Sequence, residues 1–168
     1  MDQNVNPFLF FRKEDVFSHW APIGFHVCGL NYCCGEQYLM HQKAMLFGDI
    51  GIAGQIMHTA DPKEHKKLGR MVARFDIEEW EAKARYIAYL GNFAKAAQNI
   101  NVLLELLKTG ERPIAEASPY DAVWGIGLAK DDPRAQNPES WQGSNWLGQV
   151  WMQVRRTFQQ TGVDRWMI

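Results

Sequence analysis

A carboxylate and an amine stand seven residues apart in the first third of the chain. Glu36 and Lys43 fall with Met40 and Phe47 on one stripe of a predicted helix, about 10 Å apart along its axis. The helix dipole stabilises an ionised Glu36, which makes it a candidate base. An apolar stripe lowers an amine pKa, so Lys43 is a candidate phosphate ligand or nucleophile. The alternatives are a first-turn surface glutamate and a lysine whose charged end reaches solvent.

A second candidate acid stands in a turn near several tryptophans. Asp121 follows a predicted strand, where it would either form an Asx turn or accept hydrogen bonds from ribose hydroxyls. Aromatic faces beside glycines suit a flat ligand, because glycine permits close approach and an indole can stack on a base. The alternative is that these indoles are large core residues with a polar edge. The tryptophans in or beside turns are Trp20, Trp124, Trp141 and Trp146.

Several common site types are excluded by missing motifs. The five histidines show no HExxH and no pairing with cysteine at ligand spacing, so we expect no metal site. Cys28, Cys33 and Cys34 are odd in number and lack a CxxC motif, which predicts reduced core thiols. No P-loop, complete dinucleotide fingerprint or GxSxG elbow occurs. We therefore predict no bound cofactor.

Composition indicates an ordinary globular protein. The chain has 168 residues, 46% hydrophobic and 22% charged, with a net charge of −1, so it can bury a core and lacks a strongly basic surface for nucleic-acid backbones. No basic region precedes an apolar stretch at the start, and no apolar run approaches a membrane span. We expect a single domain over residues 1–168 that is soluble and cytoplasmic.

Hydrophobic spacing predicts an α+β fold that is mostly helical, with a small sheet built from N-terminal strands and a return strand. Strands are expected at 8–11 and, as one hairpin, at 23–33, with the return strand at 113–117. One helix is expected from Gly35 to about Phe47, ending at Gly48-Asp49. A second is expected to begin at Asp61-Pro62, with Glu64 closing a capping box, and to run through Arg70. A long helix follows Asp76, Asn101 is expected to cap a short helix ended by Gly110, and Asn145 to cap the last.

Ordered motifs along the chain resemble the NADAR family, which includes N-glycosidases of riboflavin intermediates. The resemblance covers about residues 8–160. The matching segments are Phe17-Ser18-His19-Trp20, Gly35-Glu36-Gln37-Tyr38, Lys43-Ala44, Phe47-Gly48-Asp49, Asp61-Pro62, Leu68-Gly69-Arg70, Trp80, Gly91-Asn92, Ala94-Lys95, Thr109-Gly110, Glu116-Ala117-Ser118-Pro119, Asp121, Trp124-Gly125-Ile126-Gly127, Trp141, Gly143, Asn145, Leu147-Gly148 and Val154-Arg155.

The resemblance implies cleavage of C1′–N ribosyl bonds, in phosphorylated ribosylamino intermediates or in ADP-ribose attached to guanine. Such a site needs an anion near C1′, support for the leaving base and cations for phosphate. The long loop from Trp124 to Trp141 resembles the ADP-ribose-directed members. The partner is accordingly a small ribosylated nucleotide or an ADP-ribosylated nucleic acid.

The predicted catalytic residues are Glu36, Lys43 and Asp121, the last holding ribose hydroxyls or protonating the leaving group. The predicted substrate-binding set is completed by ring-stacking, phosphate-binding and motif residues: Trp20, Trp80 and Trp124; Arg70, Arg155 and the backbone of Gly125-Ile126-Gly127; and Ser18 and Asn145. Two other function classes stay open. One is a module that binds ADP-ribose without cutting it, and the other is a structural interaction protein.

Overall fold

The computed structural model describes residues 6–162, and the chain forms two compact units. The terminal unit comprises Met1–Ser18 and Ile100–Ile168, and the central unit comprises His19–Asn99. The single domain expected over 1–168 stays a prediction. In chain order the elements are β1 (Phe8–Phe10), β2 (Phe25–Val27), β3 (Leu30–Tyr32), α1 (Gly35–Leu46), α2 (Ile50–Met57), α3 (Pro62–Arg70), α4 (Ile77–Gln98), α5 (Ile100–Lys108), β4 (Ile114–Glu116), two 3₁₀ turns (Pro133–Gln136 and Pro138–Ser140) and α6 (Trp146–Thr161).

The predicted α+β class is confirmed, with one change in how the strands pair. Within residues 6–162 the strands form two separate two-stranded sheets rather than one small sheet. β1 runs parallel to β4, and β2 runs antiparallel to β3. In this described range no helix combines the length and the apolar character that crossing a bilayer requires.

The β2–β3 hairpin confirms the predicted turn. Val27 pairs with Leu30, which leaves Cys28 and Gly29 as a two-residue loop. Both have positive φ, 49° and 82° respectively, and this is the type I′ geometry that matches strand twist. The hairpin buries Phe25 and Tyr32 against Tyr38 of α1.

Side-chain caps begin the central helices where the sequence predicted them. Asp76 Oδ1 accepts a hydrogen bond from the Glu79 amide at 2.8 Å and begins α4, and an aspartate likewise begins α3. The expected capping box of α3 is replaced, because Glu64 accepts a hydrogen bond from Lys67 Nζ at 2.9 Å. α1 packs against α2, α3 and α4, so the helix bearing Glu36 and Lys43 lies at the centre of this unit.

One helix was not predicted. α2 begins directly after the break at Gly48-Asp49, because Asp49 Oδ1 accepts from the Ile52 amide at 3.1 Å. The other carboxylate oxygen accepts from the Ala73 amide at 2.9 Å. Asp49 therefore links the start of α2 to the segment that follows α3.

The terminal unit confirms the return strand and corrects two caps. Asn101 does not cap α5, because that helix begins at Ile100 and includes it. α6 begins after Asn145 as predicted, yet the Asn145 side chain makes no cap hydrogen bond. The Trp146 and Leu147 amides instead donate to the Val123 and Trp124 carbonyls, both at 3.1 Å. Backbone carbonyls of the preceding loop therefore satisfy the start of α6.

Candidate functional site

Glu36 lies in the first turn of α1 and is buried, with 7% of its surface exposed. Its backbone amide donates to the His19 carbonyl at 2.8 Å, which fixes the helix start. Burial raises the pKa of the neighbouring Cys34 thiol to about 12, and the Glu36 carboxylate adds to the rise. Glu36 is therefore a carboxyl group in a poorly solvated place, where a negative charge would act strongly on nearby groups.

Lys43 lies two turns further along α1, half-buried among aromatic rings. Its Nζ donates to the Gly69 carbonyl at 2.8 Å and sits 4.0 Å from the centre of the Phe75 ring and 5.6 Å from that of Trp80. Burial lowers the pKa of Lys43, and the positive charge of Arg70 lowers it further. Two cations facing one region favour an anion such as phosphate.

The structure places Glu36 and Lys43 on one helix, as the sequence predicted. Their described contacts involve different partners, because Lys43 touches Gly69, Phe75 and Trp80 while Glu36 acts on Cys34. Seven residues of helix separate them by about 10 Å along the axis. This separation suits a ligand that spans the two groups better than one atom attacked by both.

Three buried polar residues near Glu36 were not given a role from the sequence. His19 Nε2 lies 3.0 Å from Asn92 Oδ1, and burial followed by the charge of Lys95 lowers the pKa of His19 to about 3. Lys95 is fully buried, and that burial lowers its pKa to about 7, opposed by Cys34. Cys34 lies close enough to Glu36 and to Lys95 for the ionisation of its thiol to affect both groups.

A sequence signal for this set existed. Asn92 and Lys95 are one turn apart on α4, among small residues that predict close packing. Among the buried side-chain nitrogen and oxygen atoms of residues 6–162, Asn92 Nδ2 is the one that has no hydrogen-bond partner. A buried donor without a partner is a position where an acceptor atom of a ligand or a water molecule could receive its hydrogen bond.

Of the other predicted binding residues around the central unit, Trp80 is buried, Trp20 is half-buried and Arg70 is exposed at the end of α3. Ser18, at the end of the first terminal-unit segment, is 3% exposed, and its amide donates to the Asp15 carbonyl at 2.9 Å. Their binding roles stay predictions.

Asp121 belongs to the terminal unit and forms an Asx turn. Its Oδ1 accepts from the Val123 amide at 3.0 Å and the Trp124 amide at 2.8 Å, which confirms that part of the prediction. The Trp124 ring is half-buried and meets Trp146 edge to face at 5.6 Å. Asp121 thus orients the loop whose carbonyls begin α6. A role in holding ribose hydroxyls stays a prediction.

The predicted phosphate loop is tightly packed. A Cβ on Gly125 would lie 2.8 Å from the Asp121 carbonyl oxygen, so the backbone approach needs glycine. Ile126 is fully buried, and its amide donates to the Glu116 carbonyl at 2.9 Å. This corrects the expectation for Ile126, because its amide already donates to the last residue of β4. Gly125 and Gly127, the latter with φ of 69°, are the positions to which the phosphate prediction still applies.

Two predicted ligands make structural contacts. Asn145 is buried, with its Nδ2 donating to the Ile114 carbonyl at 2.9 Å and its Oδ1 accepting from the Glu116 amide at 3.2 Å. Arg155 is 6% exposed, and its Nη1 donates to Thr109 Oγ1 at 2.6 Å and to a backbone carbonyl. These contacts favour structural roles for both, and ligand binding by them stays a prediction.

A groove of about 770 Å³ lies in the terminal unit beside the Asp121 turn. Tyr120 is 88% exposed, and its ring centre lies 6.5 Å from that of Phe11. The groove is lined by both signs of charge, the basic Arg12 and Lys130 and the acidic Glu14, Asp15 and Asp131. The sequence gives no signal for this surface, because one exposed tyrosine in a turn is common.

Comparison with known proteins gives a consistent result. Residues 9–159 match the family model described as the NADAR domain. An N-glycosidase of Acanthamoeba polyphaga mimivirus is 38% identical over 86% of this chain and 88% of its own length. Protein irg-1 of Caenorhabditis elegans is 37% identical over 88% and 77%. The NMR structure of Escherichia coli YbiA superposes with a TM-score of 0.76 over 96% of this chain and 89% of that one, at 22% identity, which supports the fold alone.

Proposed function

This chain belongs to the NADAR domain family, and on that premise we propose that it is an N-glycosidase that hydrolyses the C1′–N bond of a phosphorylated ribosyl nucleotide. The observation that carries the proposal is the pair of groups on α1, the buried Glu36 carboxylate and the Lys43 amine held against two aromatic rings. The name of the mimivirus relative supports the reaction type.

In the proposed reaction Glu36 acts at C1′. Breaking the C1′–N bond develops positive charge on the sugar, which a nearby carboxylate stabilises. Glu36 also orients a water molecule, whose oxygen bonds to C1′ as the base departs. One water proton is lost through Glu36, and a proton reaches the leaving nitrogen, so the products are the free sugar and the free base.

Lys43 and Arg70 bind the phosphate of the substrate. The spacing of about 10 Å between Glu36 and Lys43 along α1 accommodates a sugar phosphate with C1′ at one end. Lys43 is also held by the Gly69 carbonyl at 2.8 Å. The competing role for Lys43 is attack on C1′ as an amine, which would give a covalent imine with the ring-opened sugar.

The leaving base is either an aminopyrimidine or a guanine that carries ADP-ribose. Trp20 and Trp80 are proposed to stack on rings of the substrate. In the terminal unit, Asp121 is proposed to bind ribose hydroxyls, Trp124 to stack on a ring, and the backbone at Gly125 and Gly127 to bind phosphate. Ser18 is proposed as a polar contact to the substrate.

The test compares two substrates and two matched variants. Purified protein is incubated with ADP-ribosylated guanosine and with the phosphoribosylamino-pyrimidine, and mass spectrometry detects the free base. We expect release from one of them by the wild-type chain and a loss of at least 100-fold in Glu36→Gln, with an unchanged circular dichroism spectrum. Glu64→Gln, a half-buried first-turn glutamate of α3, is the control and should keep full activity. Full turnover by Glu36→Gln would remove Glu36 from the mechanism.

Borohydride distinguishes the two roles of Lys43. Reduction during turnover would trap an imine at Lys43 if the amine were the nucleophile, whereas a phosphate ligand leaves no adduct. Calorimetry with ADP-ribose tests the non-catalytic alternative. Tight binding without release of base from either substrate would favour a binding module over an enzyme.

A further inference from the structure

Two neighbouring cysteines and one histidine meet between the start of α1 and α3. The Sγ atoms of Cys33 and Cys34 lie 3.9 Å apart, and Cys34 Sγ lies 3.7 Å from His65 Nδ1. One sulfur or nitrogen atom from each residue lies within 4.8 Å of the others. Cys34 and His65 are buried, while Cys33 is half-buried and thus reachable from solvent.

These separations match tetrahedral coordination. An ion bound at about 2.3 Å from sulfur and about 2.0–2.1 Å from nitrogen places two sulfurs about 3.8 Å apart and sulfur and nitrogen about 3.6 Å apart. Right-angled coordination at the same bond length would place the sulfurs at about 3.3 Å. The observed 3.9 and 3.7 Å agree with the tetrahedral values. The third pair, Cys33 Sγ and a ring nitrogen of His65, lies within 4.8 Å, so Cys33 has to turn towards His65 for all three ligands to bind one ion.

The surrounding hydrogen bonds aim the ligands. His65 Nε2 donates to the Thr59 carbonyl at 2.9 Å, so in the neutral ring the lone pair of Nδ1 faces Cys34. Gln37 Nε2 donates to the same carbonyl at 3.1 Å, and Gln37 Oε1 accepts from the Cys33 amide at 2.7 Å. A carbonyl that orients a ligating histidine is the usual outer arrangement of protein metal sites.

We propose that Cys33, Cys34 and His65 bind one thiophilic closed-shell cation, of which Zn²⁺ is the representative. Both thiols lose their protons when the ion binds, and solvent completes the fourth position on the side of Cys33. Because Cys34 caps the helix that carries Glu36, the ion would tie the start of α1 to α3. Binding to the folded chain alone stabilises it by mass action.

The experiment uses the full chain without a polyhistidine tag, reduced and stripped of metal. Cobalt(II) is titrated first, since two thiolate ligands give a sulfur-to-cobalt charge-transfer band. Zn²⁺ is then titrated in competition with a chromophoric chelator, and thermal melts are recorded with and without Zn²⁺. We expect one equivalent of either ion, a charge-transfer band that Zn²⁺ abolishes, and a higher melting temperature with Zn²⁺.

Three variants make the test specific. Cys33→Ser changes a half-buried ligand, and His65→Gln changes a fully buried one, so the first remains informative if the second misfolds. Both should weaken binding at least 10-fold. Cys28→Ser makes the same change as Cys33→Ser at the exposed hairpin turn and should bind like the wild type. The proposal is overturned by no cobalt band in the reduced protein, by unchanged affinity in Cys33→Ser, or by an equal loss in Cys28→Ser.

Discussion

Replacing Asn145 tests whether this residue holds the terminal unit together or binds substrate. Its side chain joins the Ile114 carbonyl and the Glu116 amide by two hydrogen bonds, and its φ is 52°. In Asn145→Ala both backbone groups lose their partner. Each buried group left unsatisfied costs about 1–3 kcal/mol, and alanine at positive φ adds about 1 kcal/mol.

The free energy of unfolding should therefore fall by roughly 3–7 kcal/mol in Asn145→Ala, which lowers the melting temperature by on the order of 10 °C. Asn145→Gly loses the same hydrogen bonds but tolerates the backbone angle, so its loss should be about 1 kcal/mol smaller. Asn137→Ala is a matched control, because this exposed asparagine accepts one bond from the Glu139 amide; it should cost about 1 kcal/mol or less.

Urea unfolding followed by tryptophan fluorescence measures these differences, and base release at a temperature where all variants are folded measures function. We expect the KM of the folded Asn145→Ala protein to equal that of the wild type. A variant as stable as the wild type with a raised KM would refute this reasoning and restore Asn145 as a substrate ligand.

Three further predictions concern charge. Asp49→Ala should lower the urea midpoint of unfolding at pH 7 and make the loss of stability below about pH 4 less steep. Hydrogen bonds from the Ala73 and Ile52 amides lower the pKa of Asp49, so the ionised carboxylate stabilises the fold and this stabilisation is lost as it is protonated. In the wild type, the free energy of unfolding should fall by up to about 1.4 kcal/mol per pH unit between about pH 6.5 and pH 3, because the buried His19 ring stays neutral while the unfolded one gains a proton. His19→Gln should remove this contribution. Lys43→Arg should keep a low KM to higher pH than the wild type, because the lowered pKa of Lys43 discharges the amine earlier than arginine; steady-state kinetics across pH measure this.

Each of these outcomes has a clear opposite. Unchanged acid unfolding in Asp49→Ala or His19→Gln would show that the residue titrates alike in the folded and unfolded chain. Abolished kcat with unchanged KM in Lys43→Arg would favour the amine nucleophile over the phosphate ligand.

The sequence predicted elements where local signals are strong. The stripe from Glu36 to Phe47 and the cap at Asp76 each depend on neighbours within a turn, and both helices are confirmed. α2 was not predicted because Gly51 and Gly54 are typical of loops, although this short apolar segment is helical. Asn145 occupies a cap position, but its hydrogen-bond partners lie about thirty residues earlier, where local reasoning does not reach.

In the candidate site, too, only the residues related by local spacing could be predicted. Glu36 and Lys43 were found because helical spacing sets their relation. Phe75, which contacts the Lys43 amine, and Lys95, which is fully buried, were not found, because only tertiary packing brings them near α1. Cys34 and His65 stand 31 residues apart and meet without any short ligand motif. Their proximity is a property of how α3 packs on α1.

The parallel pairing of β1 with β4 has a consequence for synthesis on the ribosome. Phe8 pairs with Ile114, so the strand made first must await a partner more than one hundred residues later. At about 5–20 residues per second this delay lasts roughly 5–20 seconds. The whole of 19–99 is synthesised during that interval, while β1 keeps an unpaired apolar edge that can pair with another chain.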